Sequence, residues 1–396
     1  MLIKSKILTV LFLACSCQIF AINYKEIKWL KTAIDRSQEQ LLAASEKYKA
    51  NNSNPRTYEN GKVLFASYKD WTCGFFPGSL WYMYEFTKNE KFKTEAEYYS
   101  NLNDKSQYRK DTHDLGFILY CSYGNGYRIT KNKNYQKVLL TGAKSLETRF
   151  HSQVGLIKSW EVRNKWQYPV IIDNMMNLEF LMEVSKMTGD TNLQKICISH
   201  ADNTLKNHYR ADYSCFHVVD YDSITGKVLH RQTAQGYADN SSWARGQAWG
   251  LYGFTMMYRE TRDPRYLQQA QKIAAYIINY PTLPKDKIPY WDYNAPDIPN
   301  APRDASAAAI TASALIELSS YVKNHTEYFD MAEAILKSLA SDEYLAQKNE
   351  NGLFILKHST GNWPKKSEID TPLNYADYYY LEALGRYMKV LGITIN

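Results

Sequence analysis

The sequence predicts an all-α fold, an (α/α)6 barrel in which six helix hairpins surround a common axis and the active site lies at one end. Three observations lead to this prediction. Apolar residues recur at helical spacing along nearly the whole chain, one short turn motif recurs between these segments, and long loops alternate with short turns.

The recurring turn joins the two helices of a hairpin. It reads TKNEKF from Thr87, TKNKNY from Thr130, TGDTNL from Thr188 and TRDPRY from Thr261, with a looser copy, NHTEYF, from Asn324. Each copy places turn and capping residues before an aromatic residue or a leucine that restarts the apolar pattern. The motif therefore predicts repeated helix hairpins.

About twelve helices are predicted from the apolar spacing. The segments LEFLMEVSKM and LQKICISHADNTLKNHY, on the two sides of the turn at Thr188, are examples. The predicted starts lie near Tyr24, Phe76, Glu90, His113, Asn132, Ile172, Asp190, Ser242, Asp263, Asp304, Thr326 and Pro372. Strand-like alternation is scarce, and CFHVVDYD, from Cys215, is the segment typical of a short hairpin strand.

The long loops are rich in aromatic residues and proline, and all of them precede the first helix of a pair. They cover residues 50–75, 151–171, 209–241, 281–303 and 343–371. Because they enter the barrel on the same side, they are expected to gather at one end of it. No linker or composition shift marks a second domain, so residues 22–396 are predicted to form a single barrel domain.

Residues 1–21 have the pattern of a secretory signal peptide. Lys4 and Lys6 form a basic start, residues 7–14 are an apolar run, and small residues precede Ala21. Cleavage after Ala21 is expected, which predicts an exported, periplasmic protein. A lipid anchor at Cys15 is the less favoured alternative, because the preceding Phe-Leu-Ala is a poor lipobox. No other segment approaches the roughly 20 apolar residues of a membrane span.

Composition argues against several classes of protein. The formal net charge is +7, but no Lys/Arg run supports a nucleic-acid partner; the basic excess instead suits an anionic small substrate. The cysteines beyond the signal, Cys73, Cys121, Cys197 and Cys215, are widely spaced and are expected to be buried free thiols. Neither a metal site nor a cofactor is predicted, and the oligomeric state stays open. The 33 tyrosines and 9 tryptophans are numerous enough to line a carbohydrate cleft.

Polar residues stand out where the loops enter the inner helices. The motifs are DWTCGFFPG (70–78), THDLGF (112–117), IIDNMMN (171–177) and GYADNSSWARGQAWG (236–250). Asp173 lies in an apolar run, where burial raises a carboxyl pKa and suits a proton donor near neutral pH. Asp114 supplies a second carboxylate at the same end. For either residue helix capping is the alternative, since Asp is a preferred N-cap.

A carboxylate pair beside aromatic rings is typical of sites that act on sugars. The candidate stacking residues are Trp71, Phe75, Trp160, Trp243 and Trp249. Core packing is the alternative for each of them. Trp243 and Trp249 are six residues apart and do not share a helical face, so one is expected to line the cleft and the other to pack behind it.

Arg245 has few acids nearby in sequence and is predicted to be an unpaired fork for a carboxylate or sulfate. A surface arginine is the alternative. His113 and His217 have no partner at metal-ligand spacing, so hydrogen bonding is favoured over metal binding.

The motifs HDLGF, DNMMN and GYADNSSWARGQAWGLYGF resemble those of the unsaturated glucuronyl hydrolases, glycoside hydrolase family 88. The motifs occur in family order from Trp71 to the C-terminal third, so the resemblance covers essentially the whole chain after the signal. The long tryptophan motif is the specific one. The family fold is an (α/α)6 barrel, which agrees with the helix pattern.

The resemblance implies hydration of a vinyl ether. Polysaccharide lyases leave a 4,5-unsaturated uronic acid at the non-reducing end of each fragment, and the family adds water across that bond. By motif, Asp173 would protonate C4 and then take a proton from the water that adds at C5. Asp114 would hold the C2 and C3 hydroxyls and keep the proton affinity of Asp173 high. The implied ligands are unsaturated uronate di- and oligosaccharides.

The resemblance also implies a set of substrate-binding residues. They are Trp71, Phe75, His113, Trp160, His217, Gln235, Trp243, Arg245 and Trp249. Arg245 and His217 are the candidates for binding the uronate carboxylate. Ser359 and Ser367 fall in a C-terminal loop that matches the family loosely, and the resemblance implies that this loop governs sulfate tolerance on the leaving sugar. The alternatives are an unsaturated rhamnogalacturonyl hydrolase, an inverting glycosidase on the same barrel, and a non-catalytic glycan-binding protein of the cell envelope.

Overall fold

The computed structural model describes residues 23–161, 165–323 and 325–394. Helices dominate these ranges. They are α1 (Lys28–Lys47), α2 (Phe75–Thr87), α3 (Glu90–Asn101), α4 (a π-helix Gly116–Gly124 continuing as the α-helix Asn125–Thr130), α5 (Lys133–Glu147), α6 (Asn174–Thr188), α7 (Thr191–Asn207), α8 (Ala244–Thr261), α9 (Pro264–Ile278), α10 (Ala305–Ser319), α11 (His325–Leu339) and α12 (Asn374–Leu391). Each begins close to a predicted start.

The helices form two concentric rings. The inner ring consists of α2, α4, α6, α8, α10 and α12, each packed on the next, and α12 packs on α2 to close the ring. Outside them, α3, α5, α7, α9 and α11 each contact the preceding inner helix. At the chain ends, the Trp29 ring of α1 lies 5.3 Å from that of Tyr387 of α12, and Tyr24 N donates to Thr394 O at 2.9 Å. The predicted (α/α)6 barrel is confirmed, with its sixth helix pair assembled from both ends of the chain.

Four hairpin turns share one hydrogen-bonding pattern. In the first, Thr87 Oγ1 donates to Met83 O at 2.7 Å and accepts the N–H of Asn89 at 3.2 Å. Lys88, between them, has a φ of 55°, the left-handed conformation that ends many helices. Asn89 then caps α3 by accepting the N–H of Lys91 at 3.0 Å. The pattern recurs after Thr130, Thr188 and Thr261.

The turn predicted from Asn324 starts at a residue that lies outside the described ranges. The same holds for the signal region, its cleavage site and Cys15. No described helix has the length and apolarity that crossing a membrane requires.

The long loops contain short strands, of which the sequence predicted only the one that follows Cys215. They are β1 (Asn54–Glu59), β2 (Lys62–Ala66), β3 (Phe150–His151), β4 (Leu156–Ile157), β5 (Pro169–Ile171), β6 (Val218–Tyr221), β7 (Val228–Gln232), β8 (Ser359–Asn362) and β9 (Ser367–Thr371). The strand predicted from Cys215 corresponds to β6, the centre of an antiparallel sheet with β5 and β7. The other sheets are two-stranded hairpins, β1–β2, β3–β4 and β8–β9. They brace the loops at the end of the barrel where the inner helices begin.

A continuous apolar core runs between the two rings, from Tyr24 to Ile393. Inner helices are buried on most faces, whereas outer helices bury one stripe, as expected for two concentric layers. Cys73, Cys121, Cys197 and Cys215 are buried free thiols, as predicted.

Candidate active site

A pocket of about 440 Å³ opens where the long loops meet the first residues of the inner helices. Its size is within the range of small-molecule sites. The predicted site residues that line it are Trp71, His113, Asp114, Trp160, Asp173 and Gln235. The lining residues that sequence reasoning missed are Trp166, Ile171, Ala234, Asn362 and Lys365. Phe75, His217, Trp243, Arg245 and Trp249 are not among its lining residues.

Asp173 is a buried acid at the pocket wall. It occupies the N-cap position of α6, but its side chain makes no capping hydrogen bond, so the capping interpretation does not hold. Burial raises its pKa to about 7, against an opposing effect of Arg245 and with a smaller contribution from the charge of Asp114. Its Oδ2 atom has no hydrogen-bond partner among the described residues. Asp173 can therefore hold a proton near neutral pH.

His217 lies behind Asp173, outside the pocket lining. Its Nδ1 accepts the N–H groups of Ala234 and Gln235 at 3.0 and 3.1 Å. Burial lowers the pKa of His217 to about 3, so the ring is neutral. Because Nδ1 is an acceptor, the single ring hydrogen belongs on Nε2, which lies 3.8 Å from Asp173 Oδ2. The ring also packs on Trp243, with 4.5 Å between centroids. His217 thus positions the segment with Gln235 and directs an N–H toward Asp173.

Asp114 lies just before α4, with a partly exposed side chain. Its Oδ2 accepts a hydrogen bond from Thr112 Oγ1 at 2.6 Å, and its Oδ1 lies 3.2 Å from His113 Nε2. Burial lowers the pKa of His113, which favours a neutral ring beside the carboxylate. Leu115, not Asp114, occupies the N-cap position of α4, and no side chain caps the helix there. Asp114 is therefore held by its neighbours with part of its surface open to the pocket.

Trp71 forms an aromatic wall supported from behind. Its ring lies 5.8 Å from Phe75 and 4.9 Å from Tyr375. Phe75 is fully buried, so it supports Trp71 and does not offer a face to a ligand. Trp243 and Trp249 are also buried, and neither lines the pocket, contrary to the expectation that one of them would.

The prediction that Arg245 is unpaired is wrong. Its side chain is 1% exposed, and Nη1 pairs with Asp304 Oδ2 at 2.9 Å. The guanidinium also donates to the carbonyls of Thr360 and Gly361 at 2.6 and 2.7 Å and to Gln235 Oε1 at 2.8 Å. Asp304 is 59 residues from Arg245, so local sequence could not reveal the pair. In this structure the guanidinium fixes strand β8 and Gln235.

The missed lining residues come from loops whose conformation the sequence did not predict. Trp166 follows Trp160 by six residues, and their ring centroids are 5.4 Å apart. Asn362 ends strand β8 and accepts the N–H of Lys365 at 3.3 Å, which places both at the tip of the β8–β9 hairpin. An aromatic residue in a loop already expected at the pocket end was a usable signal for Trp166. Asn362 and Lys365 lie in an ordinary polar stretch and gave none.

The pocket combines a buried acid that can carry a proton, a second carboxylate that is more open, and aromatic walls. Such a site can bind a sugar ring and deliver a proton to it. Within residues 23–161, 165–323 and 325–394, no group of three or more His, Cys, Asp or Glu side chains is arranged to hold a metal ion.

Comparison with known proteins places the chain in a family. The sequence model of Glycosyl Hydrolase Family 88 matches residues 46–388. An unsaturated glucuronyl hydrolase of Formosa agariphila is 49% identical over 325 residues, which is 82% of this chain and 81% of the relative. An unsaturated chondroitin disaccharide hydrolase of Streptococcus agalactiae is 32% identical over 375 residues, 91% of this chain and 92% of the relative. A crystal structure of an unsaturated glucuronyl hydrolase specific for heparin matches with a TM-score of 0.91 and 51% identity, covering 93% of this chain and 99% of that one. The chain therefore belongs to glycosyl hydrolase family 88.

Proposed function

We propose that this chain is an unsaturated glucuronyl hydrolase. It removes the 4,5-unsaturated uronic acid from the non-reducing end of glycosaminoglycan oligosaccharides that a polysaccharide lyase has produced. The observation that carries the proposal is the buried Asp173, whose pKa is raised to about 7 and which lines a pocket with Asp114 and Trp71. An unsaturated glucuronyl hydrolase that covers 82% of the chain and a solved structure of another that covers 93% support it.

The first step is a proton transfer from Asp173 to C4 of the substrate. The C4=C5 bond of the unsaturated uronate is conjugated with the ring oxygen, so protonation at C4 leaves a cation shared by C5 and that oxygen. A carboxyl with a pKa of about 7 is an effective acid near neutral pH, because it still holds its proton yet gives it up readily. Asp173 leaves this step as a carboxylate.

The second step adds water at C5. The Asp173 carboxylate takes a proton from the water as its oxygen bonds to C5, which restores the acid form and gives a hemiketal. The hemiketal opens to a C5 ketone, the C1 hemiacetal then collapses to an aldehyde, and the next sugar leaves as an alcohol. The anomeric carbon is never attacked, so the enzyme needs no nucleophile there.

Asp114 holds the substrate and tunes Asp173. Its partly exposed carboxylate can accept hydrogen bonds from the C2 and C3 hydroxyls through the lone pairs that Thr112, at Oδ2, and His113, at Oδ1, leave open. Its negative charge also raises the pKa of Asp173, which keeps the proton on the acid until substrate arrives.

The decisive experiment follows both the double bond and the proton. The protein is incubated with lyase-made unsaturated disaccharides from heparin and from chondroitin, sulfated and unsulfated, and the ultraviolet absorbance of the double bond is recorded. We expect the absorbance to disappear and, in heavy water, one deuterium to appear at C4 of the released keto acid. Cleavage of saturated disaccharides with the absorbance unchanged would instead favour an inverting glycosidase. Sugar binding without turnover would favour a glycan-binding protein.

We also propose that the chain is exported and loses residues 1–21. The basic start, apolar run and small residues before Ala21 support this. N-terminal sequencing and mass measurement of the protein from a periplasmic fraction test it. A mature protein that begins at Ile22 agrees with the proposal, whereas a lipid-modified N-terminal Cys15 replaces it with the anchored alternative.

A further inference from the structure

Trp166 lines the pocket although it lies outside the four motifs at the loop ends. Its side chain is partly exposed, and its ring makes an angle of 53° with that of Trp160 at a centroid separation of 5.4 Å. The two indoles therefore form a corner rather than a continuous flat surface. Each can present a face to a different sugar ring.

The orientation of Trp166 is fixed before any ligand binds. Its Nε1 donates to Gln232 Oε1 on strand β7 at 2.9 Å. The backbone immediately after it is anchored by Asp220, whose buried carboxylate accepts the N–H groups of Gln167 and Tyr168 at 3.0 and 2.8 Å. A ring held in this way loses little conformational entropy when a ligand packs on it.

Burial gives the pocket a direction. Asp173 and His113 are 6% and 1% exposed and mark its closed end. Trp166 and Asn362 are partly exposed, Lys365 is exposed, and these residues mark its mouth. Because a terminal unsaturated uronate must place its C4=C5 bond beside Asp173, it enters first. The rest of the saccharide then extends toward the mouth.

We propose that Trp166 is the stacking platform for the sugar on the leaving-group side, the pyranose joined to C1 of the unsaturated uronate. This inference rests on the proposed function and adds a binding subsite to it. The apolar C–H face of the pyranose packs on the indole face. The hydroxyls at the edge of the pyranose stay free to bind water. Trp166 thereby contributes to selecting oligosaccharides over uronates that carry a small leaving group.

The test compares two substrates that differ only in the second ring. One is an unsaturated disaccharide, and the other is the methyl glycoside of 4,5-unsaturated glucuronic acid. We expect Trp166→Ala to lower kcat/KM for the disaccharide by about tenfold and to leave kcat/KM for the methyl glycoside unchanged. Trp166→Phe keeps a stacking face and should retain most of the activity. Trp29→Ala, on α1 and away from the pocket, is the matched control and should alter neither substrate.

The outcomes separate the two proposals. Equal losses on both substrates, or no loss on the disaccharide, overturn the role of Trp166. A wild-type protein that converts neither substrate overturns the proposed function itself. Thermal unfolding checks that each variant folds. If Trp166→Ala does not fold, Trp166→Leu, which keeps bulk but has no aromatic face, is compared with Trp166→Phe on the same two substrates.

Discussion

His217 Nε2 lies 3.8 Å from Asp173 Oδ2, and neither atom has a hydrogen-bond partner among the described residues. Burial lowers the pKa of His217, so its ring is neutral and Nε2 carries the N–H. In the proposed mechanism, the nearby oxygen becomes charged once Asp173 has given up its proton. A donor that strengthens its interaction as charge develops favours the reacting state over the resting one. A full positive charge at the same place would instead lower the pKa of Asp173, and the acid would lose its proton before the substrate binds.

Asp173→Asn should reduce kcat by about 10²–10⁴-fold, the range that a positioned acid or base contributes. The amide preserves the shape of the side chain but cannot exchange the proton, so we expect KM to change little. Steady-state rates on an unsaturated disaccharide, together with calorimetric binding to the variant, provide the measurement. Equal rates for variant and wild type would remove Asp173 from the mechanism.

The pH profile of kcat/KM should fall as the pH rises through about 7. In the proposed mechanism Asp173 acts in its protonated form, and burial raises its pKa to about 7. Replacing Asp114 by Asn removes a charge that raises this pKa, so the falling limb should move to lower pH. A profile that stays flat from about pH 5 to about pH 9 would contradict the assignment of the acid.

Asp173→Asn should also stabilise the protein at alkaline pH. The folded pKa of Asp173 is raised above its unfolded value of about 3.9, so its contribution to stability is fully present below that value and is lost as pH rises through about 7. At about pH 8 the wild type buries an ionised carboxylate, which costs up to about 4 kcal/mol. We expect a higher Tm for the variant at that pH and a smaller difference at about pH 5. A difference independent of pH would indicate another cause.

Arg245→Ala should destabilise the fold as well as slow the reaction. Removal of one partner from a buried ion pair leaves Asp304 unpaired, which costs about 3–5 kcal/mol. The variant also releases Gln235 and the carbonyls of strand β8. Thermal unfolding and kinetics on the same samples, with a double-mutant cycle to Asp304→Ala, measure the coupling. An unchanged Tm with a raised KM would restore the direct carboxylate-binding role.

Arg56→Ala should raise KM several-fold with little change in kcat. Arg56 donates to Glu368 at 2.6 and 2.9 Å and to Asp70 at 2.6 Å. It thus ties the turn before Trp71 to the β8–β9 hairpin, and both segments contribute residues to the pocket lining. Arg56→Lys should recover only part of the effect, because lysine cannot bind two carboxylates through a planar fork. Arg265→Ala, an exposed pair with Asp263, is the control.

Local patterns in the sequence predicted the barrel because its helices depend on local interactions. Thr87, Lys88 and Asn89 complete their turn with bonds that span a few residues, so the motif was readable without an alignment. The partners of Arg245 could not be predicted from the sequence. Asp304 and Gly361 are 59 and 116 residues away along the chain, and they contact Arg245 only in the folded barrel.

The loops escaped prediction for a related reason. Trp166 is held at the pocket by distant residues: Asp220, 53 residues away from Gln167, anchors the backbone next to it, and Gln232 accepts its indole N–H. The start of α4 also depends on a distant residue: a Cβ at Gly116 would lie 2.6 Å from Asn177 Oδ1, which accepts the N–H of Phe117 at 3.0 Å.

The four threonine turns should allow the pocket loops of such a barrel to vary while its helices stay in place. The hydrogen bonds of each turn are made within the turn itself. This end of the barrel therefore does not depend on the long loops that form the pocket at the other end. Exchange of the long pocket loops between relatives should therefore leave the packing of the helices unchanged. Chimeras made by transplanting the β8–β9 hairpin or the segment around Trp166 would change preference among glycans on an unaltered scaffold.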